Sequence, residues 1–266
     1  MKYIVLGGVA AGTKTAAKLK REDINNEVTI YTKEKEISYA GCGLPYYIGG
    51  TIEERESLVV NTPEKYSSLT GVEVKTEMEA VSVDKDKKVV SFKNGDSVSY
   101  DRLIIATGAS PIKPEVDGIK LDGVFTLRSV DDAVAIRAYS EKASVKRAVV
   151  VGASFIGLEV AGSLKAKGLD VTVVDMASQI LPGLLDPDMA LYGKKEIQKS
   201  GVKIVLGAKL SSIYGEGKVE GVKTEIGNIP GDIVVLALGV KPNTEFVSSI
   251  GLETDKGAIV VATKLE

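Results

Sequence analysis

One pattern occurs twice in this chain and fixes most of what it can fold into. Ile4-Val5-Leu6 runs into Gly7-Gly8-Val9-Ala10-Ala11-Gly12, and Val149-Val150-Val151 runs into Gly152-Ala153-Ser154-Phe155-Ile156-Gly157. Each copy is an apolar run, a glycine turn, and then a stretch of small residues that reads as helix, Thr13 to about Arg21 and Leu158 to about Lys167. Each leads to a second apolar run, Val28-Thr29-Ile30-Tyr31 in one case and Val171-Thr172-Val173-Val174-Asp175 in the other. This is a β-α-β unit written twice, 145 residues apart (152 − 7).

A second echo supports the first. Asp101-Arg102-Leu103-Ile104-Ile105-Ala106-Thr107-Gly108 and Asp232-Ile233-Val234-Val235-Leu236-Ala237-Leu238-Gly239 share an Asp, a buried parallel strand and an Ala-x-Gly end, with Pro111 and Pro242 following. A strand ending in Ala-x-Gly lets a nucleotide approach its backbone, because no bulky side chain intervenes. The stretches Ala80–Phe92 and Lys203–Thr224 alternate and predict antiparallel meanders. The fold class expected is therefore α/β, with two Rossmann-like three-layer nucleotide-binding domains, the second inserted into the first. Residues 1–111 form the first part of one domain, 112–240 the second domain, and 241–266 a return segment to the first.

Composition removes several alternatives. The chain has 266 residues, 44% hydrophobic and 26% charged, which is globular and not disordered. A net charge of −2 without a basic run lacks the electrostatic footprint of a nucleic-acid binder. No apolar run is long enough to span a bilayer, and Met1-Lys2-Tyr3-Ile4-Val5-Leu6 reads as a first strand, not a signal peptide, so a cytoplasmic location is expected. One cysteine allows no internal disulfide. Zero histidines exclude Ser-His-Asp hydrolysis, His-ligated zinc and imidazole proton shuttles, so no metal site is expected.

The glycine turns set the ligand class. A dinucleotide-binding turn needs a glycine for the tight turn, one for approach of the pyrophosphate and one for helix packing, and the following helix offers N–H groups to the phosphates. Gly7 and Gly12 hold the outer places with Val9 in the middle; Gly152 and Gly157 hold them with Ser154 in the middle. Asp175, 23 residues after Gly152, stands where a carboxylate takes both ribose hydroxyls of NAD. Met176-Ala177-Ser178 supplies no cation for a 2′-phosphate, which favours NADH over NADPH. In the first unit the corresponding position is Thr32, followed by Lys33-Glu34; either Thr32 or Glu34 is placed to meet a ribose.

The lone cysteine lies in Ser38-Tyr39-Ala40-Gly41-Cys42-Gly43-Leu44-Pro45-Tyr46-Tyr47-Ile48-Gly49-Gly50. Pro45 suits a first helical turn, which puts Cys42 at or just before a helix start, where a thiolate is favoured. This segment, together with Gly7–Gly12, Ala106-Thr107-Gly108, Gly152–Glu159 and Leu238-Gly239-Val240-Lys241-Pro242-Asn243, resembles the single-cysteine branch of the flavoprotein disulfide reductases across essentially the whole chain. That branch includes coenzyme A disulfide reductases, NADH-dependent persulfide or polysulfide reductases, NADH oxidases and NADH peroxidases. The oxidases and peroxidases carry a His where this chain has Ala10, so the resemblance points to the coenzyme A disulfide and persulfide reductases, with NADH oxidase as the alternative. A non-enzymatic alternative, a nucleotide-binding module with an inert Cys42, also fits the turns.

The resemblance implies FAD in the first domain and NADH in the second. FAD-binding roles fall on Gly7, Val9, Ala10, Ala11, Gly12, Thr32, Lys33, Ser38, Ala80, Ala106, Thr107 and Gly108. Those for the nicotinamide dinucleotide fall on Gly152, Ser154, Ile156, Gly157, Asp175 and Gly239. Cys42 would cycle between thiolate and mixed disulfide, Phe155 would cover the nicotinamide pocket, and Glu159 would position the carboxamide. The implied partners are a small thiol or disulfide substrate and, in full-length relatives, a second subunit. Full-length members continue into a third flavin motif and a dimerisation domain. This chain is thus expected to be a truncated piece with weak or absent FAD occupancy, impaired or absent activity of its own, and an intact NAD unit.

Overall fold

The computed structural model describes residues 1–262. The chain end at 263–266, where the third motif is expected to begin, lies outside the described residues. Six α-helices are described: α1 (Ala10–Glu22), α2 (Leu44–Gly49), α3 (Pro63–Thr70), α4 (Val130–Ser140), α5 (Phe155–Ala166) and α6 (Pro187–Lys199). The chain forms two compact units. One is made of Met1–Ala40, Val59–Ser110 and Lys241–Glu266, the other of Gly41–Leu58 and Pro111–Val240.

The first unit is built on four parallel strands in the order Glu73–Lys75, Glu27–Tyr31, Lys2–Leu6, Arg102–Ile105. Alternation of side chains across a strand separates two cores. Ile4 and Leu6 pack with Val83, Val90 and Phe92 of an antiparallel meander, while Val5 faces Ala16 of α1 and Tyr66 of α3. Helices, sheet and meander make three layers. The meander comprises Ala80–Asp84, Val89–Phe92 and Ser97–Ser99.

The second unit repeats the plan with five parallel strands, in the order Lys203–Leu206, Asp170–Asp175, Arg147–Val151, Ile233–Leu236, Val124–Thr126. Val149 and Val151 pack against Ile213 and Val222 of its own meander. The fifth strand changes the burial of its neighbour. Ile233–Leu236 is buried throughout, flanked on both sides, whereas Arg102–Ile105 pairs only with Lys2–Leu6 among the described residues and is half-buried or exposed.

The repeated Asp residues have a common structural task. Asp101 accepts the backbone N–H of Lys2 at 2.7 Å, and Asp232 accepts those of Lys146 and Arg147 at 3.0 and 2.9 Å. Each pins the start of the strand ahead of the glycine turn, Lys2–Leu6 or Arg147–Val151, to the start of the Ala-x-Gly strand beside it, Arg102–Ile105 or Ile233–Leu236. Asp232 also pairs with the Arg147 guanidinium at 2.6 Å, and this bond holds its carboxyl below the usual aspartate range.

Two expectations need correction. Lys203–Leu206 is a parallel sheet strand, not part of a meander; the antiparallel strands are Leu210–Tyr214, Gly221–Thr224 and Gly227–Pro230. A short apolar run carries no mark of its pairing direction. Second, Gly41–Leu58 groups with the second unit although it falls within 1–111, because the apolar residues Leu44, Tyr47 and Ile48 of α2 are buried where α2 packs on α4 and α5.

Candidate functional site

The two glycine turns are superimposable in their chemistry. Gly7 (φ 110°) donates its N–H to Tyr31 at 2.8 Å, and Gly152 (φ 114°) donates to Val174 at 2.7 Å. A Cβ on Gly7 would sit 2.7 Å from the carbonyl carbon of Ala106, and one on Gly152 the same distance from that of Ala237. On Gly12 it would lie 2.9 Å from the Gly7 carbonyl carbon, and on Gly157 3.1 Å from that of Gly152. The outer glycines are thus demanded by close backbone packing, Gly12 and Gly157 within the turn and Gly7 and Gly152 against the Ala-x-Gly segment. The residue after the Ala-x-Gly strand closes each assembly, with Ala106 donating to Leu6 at 2.8 Å and Ala237 to Val151 at 2.7 Å.

A further echo is invisible in the sequence. Ser38 and Leu181 both adopt left-handed backbone, φ 49° and 48°. Ser38 donates its N–H to Gly8 and Leu181 to Ala153, each at 2.9 Å and each to the residue after the first glycine. In both units the loop after the second strand hangs from the glycine turn by one hydrogen bond. Neither residue is a glycine, so nothing in the composition marks the positions.

The amino end of the helix that follows each turn bears on anion binding. The first turns of α3, α4 and α6 carry Glu64, Asp131 and Asp132, and Asp188, which complement the positive helix end. The first turns of α1 and α5 carry no acid, a property shared by α2, which has only six residues. At α1 the N-cap residue is Val9, which offers no side-chain cap. At α5 Ser154 accepts the Gly157 N–H at 3.3 Å and donates to Ala237 at 3.1 Å. A helix end left without its own negative partner suits a phosphate, so the residues present fit a pyrophosphate at both turns.

Ala10 and Ala11 are exposed at the start of α1, and Val9 is half-buried. Thr32 is buried, and its oxygen accepts the Glu34 N–H at 3.3 Å; Lys33 is exposed and Glu34 half-buried. Ala80 opens the meander hairpin, half-buried. Asp175 carries a structural bond beyond the sequence reading. One carboxylate oxygen accepts the Ala153 N–H at 2.6 Å and the other the Ala177 N–H at 2.8 Å, so it braces the glycine turn. Its oxygens hold further lone pairs for hydroxyl donors. Phe155, Ile156 and Glu159 are exposed near the amino end of α5, Phe155 at 60%. Gly239 is exposed with φ 99°.

Cys42 is exposed in the 3-10 turn Gly41–Gly43 that runs directly into α2. A residue given no role from the sequence is Asn243. It donates its backbone N–H to Gly108 at 2.9 Å and its side-chain amide to Thr107 at 3.0 Å, and it accepts from Ser110 at 2.7 Å. Thr107 in turn donates its hydroxyl to the Asn243 carbonyl at 2.7 Å. The signal available was the Lys241-Pro242-Asn243 segment, but its partners lie some 130 positions upstream.

Paired parallel sheets, each with a glycine turn feeding an acid-free helix end, define an α/β protein of the dinucleotide-binding kind. The chain belongs to the pyridine nucleotide-disulphide oxidoreductase family, whose model matches residues 1–266. Its curated relatives include an NADH oxidase of Methanocaldococcus jannaschii, 41% identical over 100% of this chain and 60% of that protein. A CoA-dependent NAD(P)H sulfur oxidoreductase of Pyrococcus abyssi is 35% identical over 99% and 59%. Other relatives bear the name coenzyme A disulfide reductase. Among solved structures, the NAD-dependent persulfide reductase of A. fulgidus superimposes with a TM-score of 0.94 and 36% identity, covering 98% of this chain and 50% of that one. The chain spans about 60% of the length of the curated relatives it matches.

Proposed function

We propose that the chain is the dinucleotide-handling part of an NADH-dependent reductase of coenzyme A disulfide, persulfide or polysulfide, with Cys42 as its sulfur site. The observation that carries this reading is the exposed Cys42 in the turn ahead of α2, within a chain whose two glycine turns feed acid-free helix ends. The names borne by its relatives agree with it. FAD fits the Gly7–Gly12 turn and NADH the Gly152–Gly157 turn. When bound, the flavin supplies two-electron transfer between nicotinamide and sulfur.

The chain's own residues do the rest. The amino end of α1 binds one pyrophosphate, and Val9 leaves its N–H groups to the ligand. The amino end of α5 binds the other, with Ser154 fixing the turn. Asp175 orients the ribose of NADH through lone pairs not used on Ala153 and Ala177. Phe155 shields the nicotinamide pocket, and Glu159 holds the carboxamide. The Cys42 thiolate attacks one sulfur of the substrate disulfide, forms a mixed disulfide and releases the first thiol. Two electrons from NADH and one proton then return Cys42 to the thiolate and release the second thiol, so that NADH, H⁺ and RSSR give NAD⁺ and two RSH.

The test is turnover of a panel of coenzyme A disulfide, persulfide and oxygen with FAD supplied. Cys42→Ser is expected to abolish disulfide and persulfide turnover; activity that survives it refutes the reading. NADH oxidase is the second reading, favoured by the 41% identity to a protein of that name. It predicts rapid oxygen consumption with little disulfide turnover. An inert Cys42 predicts binding without either. The NADH preference rests on Asp175. Asp175→Ala is expected to weaken NADH at least about tenfold by loss of two hydroxyl bonds while affecting NADPH less, as read by fluorescence titration. We also place the protein in the cytoplasm, where a single thiol stays reduced, and expect the full-length protein to be a homodimer.

A further inference from the structure

Helix α2 has six residues and directly follows the Gly41–Gly43 turn that carries Cys42. A helix this short does not hold itself in water. One side is fixed by packing on α5, where Gly49 approaches so closely that a Cβ would lie 3.2 Å from the Ser163 Cβ. Its carboxyl end is fixed by Arg137, on the last turn of α4. Arg137 Nη1 donates to the carbonyl oxygens of Tyr47, Ile52 and Glu53 at 3.4, 3.3 and 2.9 Å. The guanidinium lies 4.5 Å from the centre of the Tyr47 ring, and Nε donates to Glu141 at 3.3 Å. The same Glu141 oxygen accepts Lys167 Nζ, from the C-cap of α5, at 2.6 Å.

The carboxyl ends of α2, α4 and α5 therefore meet around two cations and one carboxylate. Helix carboxyl ends are partially negative, and three of them converge stably only with positive charge between them. Arginine alone brings a permanent charge, a fork of donors and a flat face, and all three are used here.

We propose that Arg137 is the positioning residue of Cys42: it fixes the far end of α2 and thereby sets where the sulfur sits. Its consequence for turnover rests on the reading of Cys42 given above; the clamp itself does not. Six residues span about 9 Å at 1.5 Å each, so a tilt of roughly 10° at the Arg137 end moves the other end by about 1.5 Å. Misplacement of about 1 Å at a reacting atom lowers a rate on the order of a hundredfold.

The experiment compares Arg137→Met, which keeps the aliphatic stem, with Arg137→Lys, which keeps the charge without the fork. Hydrogen exchange is measured on the chain without cofactors, and NADH-dependent disulfide reduction on the FAD-supplemented protein. With Arg137→Met, amides from Leu44 to Glu53 should exchange at least about tenfold faster, while strands Arg147–Val151 and Asp170–Asp175 stay unchanged. The kcat should fall at least about tenfold with the KM for NADH held within about twofold, and Arg137→Lys should lie between. Unchanged exchange in α2 overturns the proposal, as does a loosened α2 with wild-type kcat. Faster exchange throughout the sheet also overturns it, since Arg137 would then merely support the fold. Disulfide turnover that survives Cys42→Ser instead removes the reading of Cys42, and the exchange measurement still decides whether Arg137 holds α2.

Discussion

Two glycines five positions apart on α5 should respond to alanine with opposite signs. Gly157 and Gly162 both belong to the helix Phe155–Ala166. A methyl on Gly157 would overlap the carbonyl oxygen of Gly152, lie 3.1 Å from its carbonyl carbon, and stand 3.2 Å from the Ala237 Cβ. Ordinary contact begins at about 3.4 Å, and two of these atoms are backbone in a turn bonded on both sides. The helix must move, and Gly157→Ala should destabilise the second unit by about 3 kcal/mol, the upper part of the range for overpacking. Around Gly162 nothing lies within 4 Å of the added carbon, and the site is exposed. There the change removes only the helix penalty of glycine, so Gly162→Ala should stabilise by about 0.8 kcal/mol. Thermal melts followed by far-UV circular dichroism read this directly, since the chain has no Trp to report by fluorescence. At roughly 2–4 °C per kcal/mol the two variants should move Tm in opposite directions. Fluorescence titration should show NADH binding lost in Gly157→Ala and kept in Gly162→Ala. Wild-type stability for Gly157→Ala, or a loss of more than a few tenths of a kcal/mol for Gly162→Ala, would refute the packing argument.

Other outcomes follow from the same geometry. Ser154→Ala removes both the cap on Gly157 and the bond to Ala237, and should lower stability in urea by about 1 kcal/mol. Asp232 has its folded pKa held below the ordinary 3.8, chiefly by the Arg147 hydrogen bond. A depressed carboxylate stabilises above its unfolded pKa and loses that contribution as pH falls through the folded value. Asp232→Asn should therefore cost about 2 kcal/mol at pH 7, with the gap to wild type closing below about pH 4; a gap that stays constant down to acid denaturation would contradict the assignment.

The sequence by itself determined the doubled β-α-β plan, because its continuous apolar runs and glycine turns are local. It also marked Gly7, Gly12, Gly152 and Gly157, whose requirement comes from backbone within a few residues or from the next strand. Asp175 was legible as a carboxylate at a strand end, but its bond to Ala153 was not, since that depends on how the loop folds back. Only the tertiary structure decided that Ser38 and Leu181 take the left-handed bend, that Asn243 joins Thr107 and Ser110, and that Lys203–Leu206 runs parallel. It alone placed the Cys42 segment with the second unit. Helix α2 has no sequence signal for its partners: its apolar residues would fit any hydrophobic face, and the choice of α4 and α5 was made by Ser163 opposite Gly49 and by a guanidinium that reaches carbonyls more than eighty positions away. Local rules fix elements because their atoms are neighbours in the chain; contacts across the chain are fixed by shape and charge that exist only once the elements have met.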